Sequence, residues 1–368
     1  MMASPTNILG QSNVFARLGS IGKAREAGIL LAFILVVAVT TTKNPNFLFS
    51  TDGFRDLLVT PALLMIVAVG QAIVIITRNV DLSVGSVVGL SAYLTGRVFM
   101  DMTWLPWPTV FLLGVVFGAL LGLINGALVA FAKVPSLVIT LGTLYAFRGI
   151  NVMWTGSKRI NASDMPADFL ALGTSAWYRI PVITVIAVLV LAIAGWYTYT
   201  QRGGRELYAI GSDPDAANLY GLKVRRRVLS AFVISGALAG LAGVLYAARY
   251  GTVNSQVGLG LELQSVGAAV IGGVAIFGGS GSVFGAAIGA FLLLTINRAL
   301  PVLGVDDFWQ RAVVGALIIG AIVLDRLAAN RQIRRLVALR DLDQQPGDSD
   351  SDRDRELPSD NTKAVNNV

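Results

Sequence analysis

The side chains that could act on a ligand are few. With no Cys and no His among 368 residues, the chain has no disulfide framework, no thiolate nucleophile, no Cys/His metal site and no histidine base. No catalytic residue, metal or cofactor is expected. What remains is Arg78-Asn79-Val80-Asp81, followed by Ser83, set between two long apolar runs. A second polar segment reads Glu262-Leu263-Gln264-Ser265, and Asn125, Asn151 and Asn297 stand in or beside apolar stretches. Charged, amide and hydroxyl groups at membrane depth are costly unless they line a cavity or are buried against protein partners. These residues are therefore candidates for lining or gating a pathway for a polar solute. Each also has a structural reading: Asp81 can pair with Arg78 or cap the helix that follows, and asparagines commonly hydrogen-bond between helices.

The elements that must position these groups are membrane helices. Apolar residues make up 54% of the chain and charged residues 14%, against about 25% charged in ordinary soluble domains. The expected fold class is an all-α polytopic membrane protein of about ten spans, some broken or re-entrant, with a possible two-half internal repeat. The spans fall near 28–42, 57–77, 83–100, 107–132, 134–154, 180–199, 228–248, 264–277, 281–299 and 308–324. The pieces at 83–100 and 264–277, short or rich in Gly and Ser, are the expected broken ones. The first run lacks a small-x-small cleavage site after it and reads as a retained helix rather than a signal peptide.

Three regions follow: a cytoplasmic segment 1–27, a membrane domain 28–327, and an acidic tail 328–368. From Asp341 onward the tail holds eight acidic and three basic residues without apolar periodicity, the pattern of a disordered extension. Basic residues in short loops favour the cytoplasmic side. An N-terminus bearing Arg17, Lys23 and Arg25, with ten crossings, puts Arg78, Lys133, the loop 200–227 and the C-terminus inside. Lys158, Arg159 and Arg179 fall outside and break the rule.

Small residues recur at a spacing of four, as in Gly85/Gly89, Gly118/Gly122/Gly126, Gly236/Gly240 and Gly281/Gly285/Gly289, which lets helix backbones approach closely in lipid. Phe117–Gly122 is echoed by Phe284–Gly289, and Ser83-Val84-Gly85 by Ser265-Val266-Gly267, a faint internal repeat. Gly278-Gly279-Ser280-Gly281-Ser282 lacks the Lys-Ser/Thr ending of a phosphate loop and reads as a tight turn opening a helix. Trp104, Trp107 and Trp154 suit the headgroup level. In the loop 200–227, Asp213, Pro214, Asp215, Ala216, Ala217, Asn218, Leu219, Tyr220, Gly221 and Leu222 carry a capping Asp, a Pro for the first turn and a terminating Gly. A short surface helix between charged flanks suits docking of a partner, or a plain connector.

Four ordered motifs carry a resemblance: Thr77–Ser86, Pro135–Ile150, Tyr208–Leu222 and Gly258–Gly273. The chain resembles the membrane permeases of bacterial sugar ABC importers, the family of the ribose, rhamnose and autoinducer-2 permeases. Trp154–Lys158 and Asp306–Gln310 look nearest to the autoinducer-2 and rhamnose members. The resemblance implies a multi-pass protein of the bacterial inner membrane, both termini cytoplasmic, translocating a sugar-like solute. It implies a second permease subunit, identical or related, separate ATP-binding-cassette ATPase subunits, and an extracytoplasmic sugar-binding protein, with lipid around them and no nucleic acid. It makes Asp213–Leu222 the coupling helix that seats in the ATPase. The alternative from a different class is an ion-coupled secondary transporter, for which Asp81, Arg97, Arg148, Arg298 and Arg311 are the charges within or beside spans.

Overall fold

A computed structural model describes residues 9–306 apart from Lys133 and Ser157, with scattered residues between 309 and 323. Its elements in chain order are α1 (Leu9–Lys43), α2 (Asn46–Phe49), α3 (Thr51–Ile76), α4 (Val84–Asp101), α5 (Trp107–Ala132), α6 (Ser136–Thr155) and α7 (Ala167–Thr174). A two-residue hairpin, β1 (Ala176–Trp177) and β2 (Ile180–Pro181), precedes α8 (Val182–Thr200), α9 (Arg202–Ser212), α10 (Pro214–Leu219), α11 (Val224–Tyr250), α12 (Leu261–Ile271) and α13 (Val283–Val302). The all-α, polytopic expectation holds. Seven of the described helices are long and apolar enough to cross a membrane, so the count of ten is not reproduced. The tenth, 308–324, lies largely outside the described residues, as do Lys133, Arg311 and the acidic tail.

The two expected irregular spans differ. At 83–100 the helix is unbroken: the interruption precedes it, at residues 77–83, and α4 runs for 18 residues, about 27 Å. At 264–277 the helix is short. With 11 residues, α12 reaches about 16 Å, roughly half the hydrocarbon thickness. Its other half is irregular chain, residues 251–260, which pairs at Val253 with Ile160 and then dips inward until Gly258 lies against the backbone of Gly85.

The core is built by backbone approach. Helix α3 is the central span, its apolar window 94% buried, and is capped by Ser50, whose Oγ accepts from Gly53 N–H at 2.9 Å. Helices α5 and α11 cross through their glycines: Gly236 faces the Gly118 carbonyl and Gly122 Cα, and Gly240 faces Gly114 and Gly118. Gly243 of α11 meets α4 at Val88 and Ala92, while Gly285 and Gly289 of α13 meet α12 at Gly272 and Ala268. The small-residue spacing thus does what lipid-phase packing requires, giving dispersion contacts that bulkier residues would hold apart. The proposed repeat is uneven: Ser83 precedes the first turn of α4, whereas Ser265 sits inside α12.

Cross-links between elements sort the loops to two ends. At one end, the break 77–83 meets Ser136 and the turn 278–281, which itself meets Ser212. At the other, Arg298 donates to Gly53 O (2.8 Å), Arg55 to Thr174 O (2.6 Å), and Arg249 pairs with Asp56 (2.9 Å). Lys158 and Arg159, adjoining the Ile160–Val253 bridge, belong to this second end.

Candidate functional site

Three places hold the polar residues singled out by the sequence. The first is the break 77–83. Asp81 Oδ1 accepts from Ser83 N–H (2.9 Å) and Ser83 Oγ (2.7 Å), and Asn125 of α5 donates to the same hydroxyl at 2.6 Å. Val80 N–H donates to Ser136 Oγ (3.1 Å) and its carbonyl accepts from Thr140 Oγ1 (3.1 Å), both on α6. Gln71 of α3, with its amide set by its neighbours, bridges the N–H and C=O of Asp81 at 3.2 and 3.0 Å. Irregular backbone inside a membrane must find internal partners, and here side chains from α3 and α6 supply them.

Asp81, Ser83 and Asn125 are all within 1% of full burial, so in this conformation they meet packed protein and do not line an open path. Asp81 pairs with Ser83 and leads into α4; it makes no ion pair with Arg78, whose side chain is exposed and whose backbone is left-handed at φ 66. Asn79 turns back on Thr77, donating to its carbonyl at 2.9 Å.

The second place lies within the membrane, where the irregular segment 251–260 meets α4, α6 and α12. Arg148, twelve residues into α6 and so about 18 Å from its start, donates to the carbonyls of Val257 (2.8 Å) and Ser255 (3.4 Å). Asn151, one turn on, is fully buried and reaches Ser255 O at 3.4 Å. Glu262, in the first turn of α12, accepts from Gly260 N–H at 3.1 Å, while its second oxygen is buried over Gly85 without a hydrogen-bond partner among the described residues. Ser265 donates to Glu262 O (2.9 Å). Around this centre Leu259 and Leu263 are exposed, as are Asn254 and Gln256, and Gln264 is half-exposed. Polar side chains and irregular backbone cannot face hydrocarbon, so this face requires water or a protein neighbour. The structure thus brings Asn151, Glu262, Gln264 and Ser265 together, and adds Arg148. Asn125 stays with the break. Asn297, on α13, lies apart, its Oδ1 buried without a partner among the described residues.

The third place is the loop at the end carrying residues 202–223. Asp213 Oδ1 accepts from the N–H groups of Asp215 and Ala216, both at 3.0 Å, Pro214 occupies the first helical turn, and Gly221 ends the helix at φ 78. The helix presents Leu219 and Tyr220, 89% and 87% exposed, and turns Ala217 inward. A cleft of about 830 Å³ beside it is walled by Phe131, Asp215, Asn218, Lys223 and Arg225. The amphipathic α9 that precedes it falls in a stretch expected to be loop. Its buried positions Gly204, Leu207, Ile210 and Gly211 follow the helical period and could have revealed it. Glu206 on α9 accepts from Arg202 (2.9 Å) and Arg227 (2.6 Å). The bond from Arg227 above all, helped by Arg202 and opposed by burial, holds its carboxyl below the usual glutamate range.

No donor set among the described residues suits a metal.

Comparison with known proteins agrees with this architecture. The family described as Branched-chain amino acid transport system / permease component matches residues 53–322. The Autoinducer 2 import system permease protein LsrC of Enterobacter sp. (strain 638) is 35% identical over 326 residues, 88% of this chain and 93% of the relative. The LsrC proteins of Escherichia coli O9:H4 (strain HS) and Salmonella typhimurium (strain LT2) are each 33% identical over 314 residues, 84% of this chain and 90% and 89% of theirs. No solved structure matches significantly. With most of its bundle spanned by the family match and its length shared with these relatives, the chain belongs to the permease-component family of branched-chain amino acid transport systems.

Proposed function

We propose that this chain is the membrane-spanning subunit of an ATP-binding-cassette importer that carries a sugar-like solute inward, autoinducer-2 first among the solutes to test. The observation that carries the reading is similarity over 84–88% of the chain to permeases named for autoinducer-2 import, joined to a capped helix that pushes Leu219 and Tyr220 into solvent. An apolar pair on a rigid, charged-flanked helix is the knob a groove in an ATPase subunit would take. On this reading the end bearing residues 202–223 is cytoplasmic, both termini lie on that side, and the end bearing Asp56, Thr174 and Val253 receives the extracytoplasmic binding protein.

The solute would pass along the face of α6 and the segment 254–264, where the partly exposed Arg148, Glu262 and Gln264 stand. A second subunit, identical or related, would complete that face. ATP-driven movement in the partner would alternate access from the two ends. The ion-coupled alternative loses ground on geometry. Arg148 and Arg298 hold backbone carbonyls, and Arg97 pairs with Asp101 at a helix end; these are structural uses rather than a relay.

Deletion of the chain from its host should abolish uptake of labelled autoinducer-2 supplied at low concentration. Loss of rhamnose or ribose uptake instead would reassign the solute; unchanged uptake of all three would refute the importer reading.

A further inference from the structure

We propose that Gly211, Ile76 and Gly279 form a rigid backbone joint, strapped by Tyr208, through which the docking helix acts on the half-helix α12. The proposal rests on the reading of residues 213–222 as the ATPase docking segment and goes beyond it, because none of these four residues lies in that segment.

Gly211 lies in the last turn of α9, two residues before the capping Asp213. It packs directly on the Ile76 carbonyl at the end of α3, and a methyl group there would meet that oxygen and also stand 2.6 Å from Gly279 N. The same Ile76 carbonyl accepts from Gly279 N–H at 3.0 Å. Gly279 is left-handed, φ 73, with Ser212 Cα 2.7 Å from where its Cβ would be. One turn back along α9, Tyr208 Oη donates to Gly281 O at 3.2 Å.

Three strands of backbone therefore meet with no side chain between them. The turn 275–281 is itself closed by Ala275 N–H to Ser280 O (3.1 Å) and Gly278 N–H to Ala275 O (2.9 Å), and Val274 N–H bonds the last turn of α12 at Ala269 O (2.9 Å). A continuous hydrogen-bonded path thus runs from α9 to α12, whose far end carries Glu262 beside Arg148 and Val257. Close-packed backbone deforms little, so a shift of the docking helix would be delivered to the half-helix rather than absorbed.

Tyr208→Phe tests the strap in the full complex without adding an atom to the packed backbone. It removes the hydroxyl that donates to Gly281 O, and should leave the ATPase subunit bound while lowering the stimulation of ATP hydrolysis by solute-loaded binding protein by about threefold. Wild-type stimulation in Tyr208→Phe overturns the strap. Gly211→Ala, which pries the joint open, should leave the ATPase subunit bound. It should cut by about tenfold the stimulation of ATP hydrolysis by solute-loaded binding protein, and cut uptake with it. Wild-type stimulation in Gly211→Ala likewise contradicts the joint. If the unsubstituted chain binds no ATPase, it is the docking reading that fails, a result distinct from every comparison between variants.

Discussion

Replacing Arg148 by methionine should unfasten the irregular segment from α6. The guanidinium makes one well-formed bond, 2.8 Å to the Val257 carbonyl, and a long one, 3.4 Å to Ser255. A hydrogen bond to a charged group is worth about 1.5–3 kcal/mol net, and the carbonyl left behind is buried without a donor. Methionine retains most of the aliphatic stem, so packing loss is small. Taking about 2 kcal/mol and about 1.4 kcal/mol per factor of ten, local opening should become roughly thirtyfold more frequent. The readout is a single cysteine at Val257, a residue only 4% exposed, labelled from solution by a membrane-impermeant maleimide in the otherwise cysteine-free chain. The labelling rate should rise by that factor in Arg148→Met. Lysine at 148 should fall between, since an ammonium keeps the charge but lacks the planar fork. An unchanged rate in Arg148→Met would refute the idea that this arginine holds the segment in place.

Three other outcomes follow from the contacts. Glu206 has a depressed carboxyl pKa, so its ion pairs stabilise the loop fully above the ordinary glutamate value of 4.5 and lose that contribution as the pH falls through the lower folded value; melting in detergent should show this acid loss, and Glu206→Gln should flatten it. Gly236→Leu must push α11 off Gly118 and Gly122 at about 1–3 kcal/mol, lowering the melting temperature, whereas Gly142→Ala, with nothing within 4 Å, should hold or raise it by the helix gain of about 0.5–1 kcal/mol. Leu219→Asp, at an exposed position, should leave the protein folded in the membrane yet abolish co-purification with the ATPase; charge at the buried Ala217 should instead disrupt α10 itself.

The spans were legible because lipid rewards one signal, a long apolar run, and α3, α8 and α11 are such runs. The short helix α10 was legible because Asp213, Pro214 and Gly221 are local signals. The half-helix was visible as an irregularity, but its true start at Leu261 was hidden: the chain turns inward at residues 254–260 only because Gly85 and Gly89 leave room for it on α4, a contact about 170 residues away in sequence. Arg148 stood in the sequence as an intramembrane charge, a recognised pointer to function, and its partner carbonyls, 107 and 109 residues distant, could be found only in three dimensions. Asp81 shows the reverse. Its conspicuous place in an apolar stretch suggested a gate, and the bracing by Gln71, Ser83 and Ser136 shows how packed protein can enclose such a break.

On the importer reading, solute crosses this chain only when a partner hydrolyses ATP. The most direct measurement is uptake into proteoliposomes holding the chain with its ATPase, with ATP enclosed and solute-loaded binding protein outside. Accumulation of autoinducer-2 that requires both ATP and the binding protein, and that Leu219→Asp eliminates, is the predicted result. Accumulation by the chain alone, driven by a proton or sodium gradient, would contradict it.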